Sequence, residues 1–193
     1  MRISLLLTTA IFLLIACSPF KKDMFPEWRD LDEFPRKKWY SNQLRAAKES
    51  PIITPLNVPT YRFTWLRSFH HPIVVRIECP DHCTITAKIL NGAGGYVPGK
   101  ISKTINRTLS QSEEEKFKRL LSQVNFSPEK SLEDIIGVDG AQWVLEAASG
   151  NSYHAIDYWS PQPGGSVDSE AFYTLCSYML YLTGFEIPDN EFY

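Results

Sequence analysis

Ile73-Val74-Val75-Arg76-Ile77-Glu78-Cys79, a loop Pro80-Asp81-His82, and Cys83-Thr84-Ile85-Thr86-Ala87-Lys88-Ile89-Leu90 form the stretch that decides the fold class. Side chains along a strand point alternately to opposite faces. With the two halves folded back on that loop, Cys79 faces Cys83, Ile77 faces Ile85, Val75 faces Ala87 and Ile73 faces Ile89. The opposite face sets Val74, Arg76 and Glu78 against Lys88, Thr86 and Thr84. A slip of one residue would turn the whole apolar set outward, so a register that sorts both faces at once argues for an antiparallel hairpin.

Strand periodicity continues on both sides. Upstream, Tyr61, Phe63 and Trp65 alternate with Arg62, Thr64 and Leu66, which predicts a strand over 61–66 with one aromatic face. Ser68-Phe69-His70-His71-Pro72 follows as a bend. Downstream, Asn91-Gly92-Ala93-Gly94-Gly95-Tyr96-Val97-Pro98-Gly99 is a glycine-rich loop, and residues 100–109 alternate again as a fourth strand. Ser110 or Ser112 then caps a helix, Ser112 having capping-box spacing to Glu115. Its buried stripe is Phe117, Leu120, Leu121 and Val124. Residues 125–137 connect to a second hairpin, 142–148 with 153–159, turning at Gly150-Asn151. Pairing Ala148 with Tyr153 puts Trp143, Leu145, Ala147, His154, Ile156 and Tyr158 on one face, and Val144, Glu146, Ala155 and Asp157 on the other. A last helix starts at Asp168 as its cap, faces Phe172, Leu175, Cys176, Met179 and Leu180 inward, and stops at Gly184. Four strands, a helix, two strands and a helix contain no strand–helix–strand repeat. The expectation is an α+β domain: an antiparallel sheet of about five to six strands with two helices packed on one face.

The N-terminus carries a different kind of signal. Arg2 precedes an apolar run, Ile3 to Ala16, too short for the roughly 20 residues of a membrane span. A positive start, an apolar core and small residues at its end read as a secretory signal. Leu14-Ile15-Ala16-Cys17 resembles the lipobox of bacterial lipoproteins. That resemblance implies cleavage before Cys17, several acyl chains such as palmitate carried by that cysteine, and a membrane anchor. Ser18 at the next position, not Asp, implies sorting to the outer membrane, facing the periplasm. The chain then divides into a signal peptide, 1–16, a lipidated tether partly docked on the domain, 17–58, and one α+β domain, 59–193. Six prolines between Pro19 and Pro59 argue against a continuous helix in the tether. Phe25, Trp28, Leu31, Phe34, Trp39 and Tyr40 argue against plain linker. A short helix is expected near residues 40–48.

Charge narrows the partners. The net charge is −2 over 193 residues, with no basic patch of the kind that nucleic-acid binding requires. Aromatic residues make up 13 % of the chain, enough for a ring-rich core with some rings left for a binding surface. The implied partners are the membrane, through the lipid on Cys17, and an envelope protein.

Candidate chemistry sits at three places. Cys79 and Cys83 face each other across the hairpin end and read as a disulfide in an oxidising compartment. As a metal site, Cys79, His82 and Cys83 would be one ligand short of a closed zinc tetrahedron, with His70 or His71 to complete it. His70 and His71 at the bend could serve as a general base. Glu146 and Asp157 lie diagonally on the polar face of the second hairpin, where two carboxylates could act as acid and base or pair with a cation such as Arg76. The glycine-rich loop could cradle an anion, but it lacks the Lys-Ser/Thr ending of a phosphate loop. No complete catalytic or cofactor motif is present, and no cofactor is expected.

Several motifs together, Trp65-Leu66-x-x-Phe69-His70-His71-Pro72, the loop 91–99, Asp139-Gly140-Ala141-Gln142-Trp143-x-x-Glu146, Tyr153-His154 and Trp159-Ser160-Pro161, resemble an uncharacterised family of small exported proteobacterial proteins over roughly residues 60 to 185. The resemblance implies a bacterial source and a single domain, and it carries no catalytic residue. Two functions follow as expectations. One is a lipid-anchored binding or accessory protein using exposed aromatic residues. The alternative is an envelope hydrolase with His70 or His71 as base and Glu146 or Asp157 assisting.

Overall fold

A computed structural model describes residues 23–28, 36–126 and 139–193. Cys17 and most of the connection expected over 125–137 lie outside the described residues. The secondary structure runs α1 (Lys38–Ala46), β1 (Leu56–Arg67), β2 (Ile73–Glu78), β3 (Thr84–Leu90), β4 (Ile101–Thr108), α2 (Gln111–Leu121), β5 (Ala141–Gly150), β6 (Ser152–Trp159) and α3 (Val167–Thr183). The strands make one antiparallel sheet in the order β4-β3-β2-β1-β5-β6.

Both hairpins have the register that alternation predicts. Ile73 pairs with Ile89, Val75 with Ala87 and Ile77 with Ile85. Ala148 pairs with Tyr153, and Gly150 at the turn adopts φ +55°, a conformation that favours glycine. The central seam, β1 against β5, joins segments some 80 residues apart and sets Arg62 opposite Glu146. Strand β1 is longer than the alternation 61–66 indicates, because an irregularity between Leu56 and Thr60 lets it continue past Pro59.

One sheet face carries the ring-rich core. Phe63, Trp65, Ile73, Val75, Ile77, Trp143, Leu145 and Ile156 are buried there with Phe117 and Leu120 of α2 and Phe172, Leu175, Cys176 and Met179 of α3. Fully burying an aliphatic or aromatic side chain contributes about 1.5–3 kcal/mol, so this layer is the main source of stability. The segment after α3 closes it. Phe192 lies against Trp65 and Trp143, whose indole N–H groups both donate to the Tyr193 carbonyl, at 3.0 and 3.1 Å.

The helix caps differ in detail from expectation. Ser110, not Ser112, caps α2, in a reciprocal box with Glu113. Ser166, not Asp168, caps α3, and Asp168 sits in the first turn, where a negative charge favours the helix end.

Where two helices on one face are expected, the described residues contain three α-helices on two faces. Helices α2 and α3 pack on the core face. Helix α1 packs on the other, where Tyr40, Leu44 and Ala47 join Met24, Phe25 and Trp28 over Leu66, Val74, Leu90 and Val144. The part of the expected tether that the structure describes is thus a second packed layer. Of the apolar residues that argued against plain linker, Phe25, Trp28 and Tyr40 are in its core and Trp39 packs against it, while Leu31 and Phe34 lie outside the described residues; the polar sheet face beneath this layer is buried.

Candidate functional site

That buried polar face holds Glu146 and Asp157. Glu146 is fully enclosed and accepts from Arg62 Nε at 2.6 Å, Arg62 Nη2 at 2.8 Å and the Tyr153 hydroxyl at 2.9 Å. Arg62 also donates to the Ser50 carbonyl at 2.8 Å and lies over the Phe25 ring. Arg76, the cation considered for Glu146, instead donates to Glu49 at 2.9 Å, alongside Lys88 at 2.6 Å. Burial pushes the Glu49 carboxyl up, but Arg76, Lys88 and Arg62 outweigh it and hold the group below its ordinary range. Burial, reinforced by the Glu146 charge, raises the Tyr153 phenol well above its own. Asp157 accepts from the Tyr40 hydroxyl at 2.7 Å and from Gln142 Nε2 at 3.2 Å, with Arg36 at 4.0 Å. The two carboxylates therefore share a sheet face but have separate partners, and each bonds a group of the α1 layer or its strand neighbours. This arrangement fastens the second layer to the sheet.

The histidines lie elsewhere, at the β1–β2 bend. His70 Nδ1 is 2.7 Å from the Tyr193 hydroxyl, and His70 Nε2 is 3.9 Å from Glu191. His71 is exposed, with Nδ1 2.8 Å from the Gly92 carbonyl. Neither bonds Glu146 or Asp157, so the four groups weighed for hydrolysis do not form one constellation.

The glycine-rich loop packs on that bend. The amides of Asn91, Gly92, Ala93, Gly94, Gly95 and Tyr96 each donate to a backbone carbonyl, among them Gly94 to His70 and Gly95 to Ser68. Those amides are committed and do not form an anion cradle. A Cβ at Gly94 would come within 2.5 Å of the Arg67 carbonyl oxygen, so glycine is required for this approach. The Gly94 carbonyl in turn accepts from Trp39 Nε1 at 2.6 Å and Gln43 Nε2 at 2.8 Å, tying the loop to α1.

At the first hairpin's tip, Cys79 and Cys83 form a disulfide with Cα atoms 4.0 Å apart. Their sulfurs are bonded to each other, and the His82 side chain is 83 % exposed. Among the described residues no group of His, Cys, Asp and Glu is arranged to hold a metal ion. The tip instead braces α2: Cys83 N–H donates to Glu114 at 3.0 Å, and Leu109 N–H to the Cys83 carbonyl at 2.8 Å. Cys176 is buried in the core, and burial pushes its thiol well above the ordinary range, which makes it unreactive.

An open cleft of about 560 Å³ lies beside the bend, lined by Phe69, His70, Asp139, Gly140, Ser160, Gln162, Asn190 and Tyr193. Burial raises the Tyr193 phenol above its usual range, against the pull of the Phe69 backbone and Arg67. Phe69 is 55 % exposed and Tyr96 66 %, with ring centroids 6.0 Å apart, and Val97 beside them is exposed as well. Apart from Phe69 and His70, sequence reasoning missed this set. Asp139, Ser160 and Tyr193 come from three separate segments, and no spacing links them.

No protein-family model matches the chain, and no curated protein matches it. Among the described residues no helix is long and apolar enough to cross a membrane.

Proposed function

We propose that this chain is a lipid-anchored protein of the bacterial cell envelope, acylated on Cys17, and that it works as a binding or accessory protein. The observation that carries the anchor is Leu14-Ile15-Ala16-Cys17 closing a short apolar run. Geometry favours a domain held near the bilayer. Met24 is already buried in the second layer, and an extended chain reaches about 3.3–3.6 Å per residue, so Cys17 to Met24 spans at most about 25 Å. Ser18 favours the outer membrane, on its periplasmic side.

Binding rather than catalysis is supported by where the exposed rings are. Phe69, Tyr96 and Val97 cluster at one end of the sheet, beside the cleft. An exposed apolar group rimmed by polar residues is the usual mark of a binding site. The hydrolase alternative keeps one observation in its favour: His70 lines that cleft. It has lost Glu146 and Asp157 as helpers, since both are sealed under α1.

The test of the anchor is intact mass and membrane fractionation of the wild type beside Cys17→Ala. A lipid-sized mass gain, with retention in the outer-membrane fraction that Cys17→Ala abolishes, is the expected result. A soluble wild type without adduct would overturn the anchor. An acylated protein found in the inner membrane would overturn the sorting.

A further inference from the structure

We infer that the cleft at the β1–β2 bend binds a neutral saccharide, with a sugar ring stacked on the Phe69–Tyr96 platform and its hydroxyls held by Asp139, Gln162 and Asn190. The inference rests on reading the chain as a binder and is independent of the lipid anchor.

The lining sets the ligand's chemistry. The cleft's volume of about 560 Å³ falls within the roughly 300–1,000 Å³ range of small-molecule sites. Its walls carry a carboxylate, two primary amides, a serine hydroxyl, an imidazole and a phenol, and no lysine or arginine. Arg67, which neighbours the bend, is 3 % exposed and donates through Nη1 to Glu191 at 2.9 Å and through Nη2 to the His71 carbonyl at 2.8 Å. A phosphate or carboxylate ligand would find Asp139 in the lining and no lysine or arginine there, which disfavours it. A purely apolar ligand would strand the amides and the carboxylate without hydrogen-bond partners.

A sugar satisfies both halves of the site. Its vicinal hydroxyls match planar carboxylate and amide groups, which accept and donate side by side. Its C–H face is apolar enough to lie on an aromatic ring. Phe69, in the cleft's lining, and Tyr96 beside it supply such a surface, the two rings inclined at 33° to each other. The platform is held in place before any ligand arrives. The Gly94 and Gly95 amides bind the loop to the bend, and Trp39 and Gln43 clamp Gly94 from α1. The His70–Tyr193 contact fixes the cleft's inner wall. Little ordering therefore remains to oppose binding.

The experiment is titration of the full chain, solubilised in detergent, with chitotetraose, cellotetraose and maltotetraose, followed by calorimetry and by the products in solution. Saturable binding of at least one is expected. It should weaken roughly two- to tenfold in Phe69→Ala, from the loss of the ring contact. It should weaken also in Asp139→Asn and Gln162→Ala, which alter exposed side chains and leave the core intact. Circular dichroism like the wild type's confirms that each variant is folded. No saturable binding to any of the three sugars would overturn the inference. So would wild-type affinity in all three variants. Cleavage of a bound sugar would uphold the ligand class and overturn the non-enzymatic reading. Failure of Cys17 acylation would leave these results unchanged.

Discussion

Replacing Arg62 with alanine should cost the fold about 3–5 kcal/mol, the usual penalty for removing one partner of a buried ion pair. Arg62 and Glu146 are both fully enclosed, and two short hydrogen bonds join them. The alanine variant leaves the Glu146 carboxylate with the Tyr153 hydroxyl alone among the partners described above. It also takes from the Ser50 carbonyl one of its two donors, Arg62 at 2.8 Å, and leaves it Arg76 at 3.0 Å. For a chain of this length each kcal/mol lowers the melting temperature by about 2–4 °C, so a fall of roughly 6–20 °C follows. Urea unfolding at neutral pH, read by tryptophan fluorescence, measures the free energy directly. The double variant Arg62→Met with Glu146→Leu should recover most of the loss, because replacing both charges by apolar groups removes the desolvation problem. A cost below about 1 kcal/mol for Arg62→Ala would refute the reasoning, since that is the value of a solvated surface pair. It would mean that water reaches the face beneath α1.

Three further outcomes follow. Glu113 accepts from both Arg107 Nη atoms and from the Ser110 amide, each at 2.8 Å, and these hold its carboxyl down to about 2. Its contribution is therefore complete above the ordinary carboxylate range and is lost as pH falls toward 2; a carboxyl NMR titration with its midpoint near the ordinary value would contradict this. Gly94→Ala should destabilise by about 1–3 kcal/mol, because its Cβ meets the backbone of Leu66 and Arg67; a wild-type urea midpoint would refute the close packing. Reducing Cys79–Cys83 should cost roughly 2 kcal/mol, the small entropy of so short a loop, with the mass rising by the two hydrogens of a reduced pair; an unchanged mass on reduction would show that no disulfide forms.

Local patterns carried much of the architecture. Each hairpin's facing follows from alternation, since a slip of one residue would turn Ile77 away from Ile85, or Trp143 away from Tyr158. Helix stripes were equally legible: Phe117 and Leu120, and Phe172 with Leu175 and Cys176, are buried as their spacing requires. Caps were harder to read, because Ser110 and Ser112 each have an acidic residue three positions on, and Ser166 competes with Asp168. The candidate site was the least legible part. Phe69 and His70 stand out at a bend, but Asp139, Ser160 and Tyr193 reach the cleft only because β5, β6 and the C-terminal segment end beside it.

The sequence by itself determined the two hairpins, the helical stripes, the antiparallel class and the short apolar run ending at Cys17, because each depends on side chains a few positions apart. Tertiary structure alone decided the β1–β5 seam and the fate of the polar sheet face. Alternation says that Arg62, Glu146 and Asp157 point away from the ring-rich core, but it cannot say what they point toward. A charged face left to solvent and one buried under a second layer have the same periodicity. The difference lies in α1 and residues 24–28, whose Tyr40 hydroxyl, Trp28 ring and Met24 carbonyl lie far along the chain from the strands they cover. Only when they pack does a surface that reads as solvated, or as a pair of catalytic carboxylates, become the set of enclosed charges that holds the second layer to the sheet.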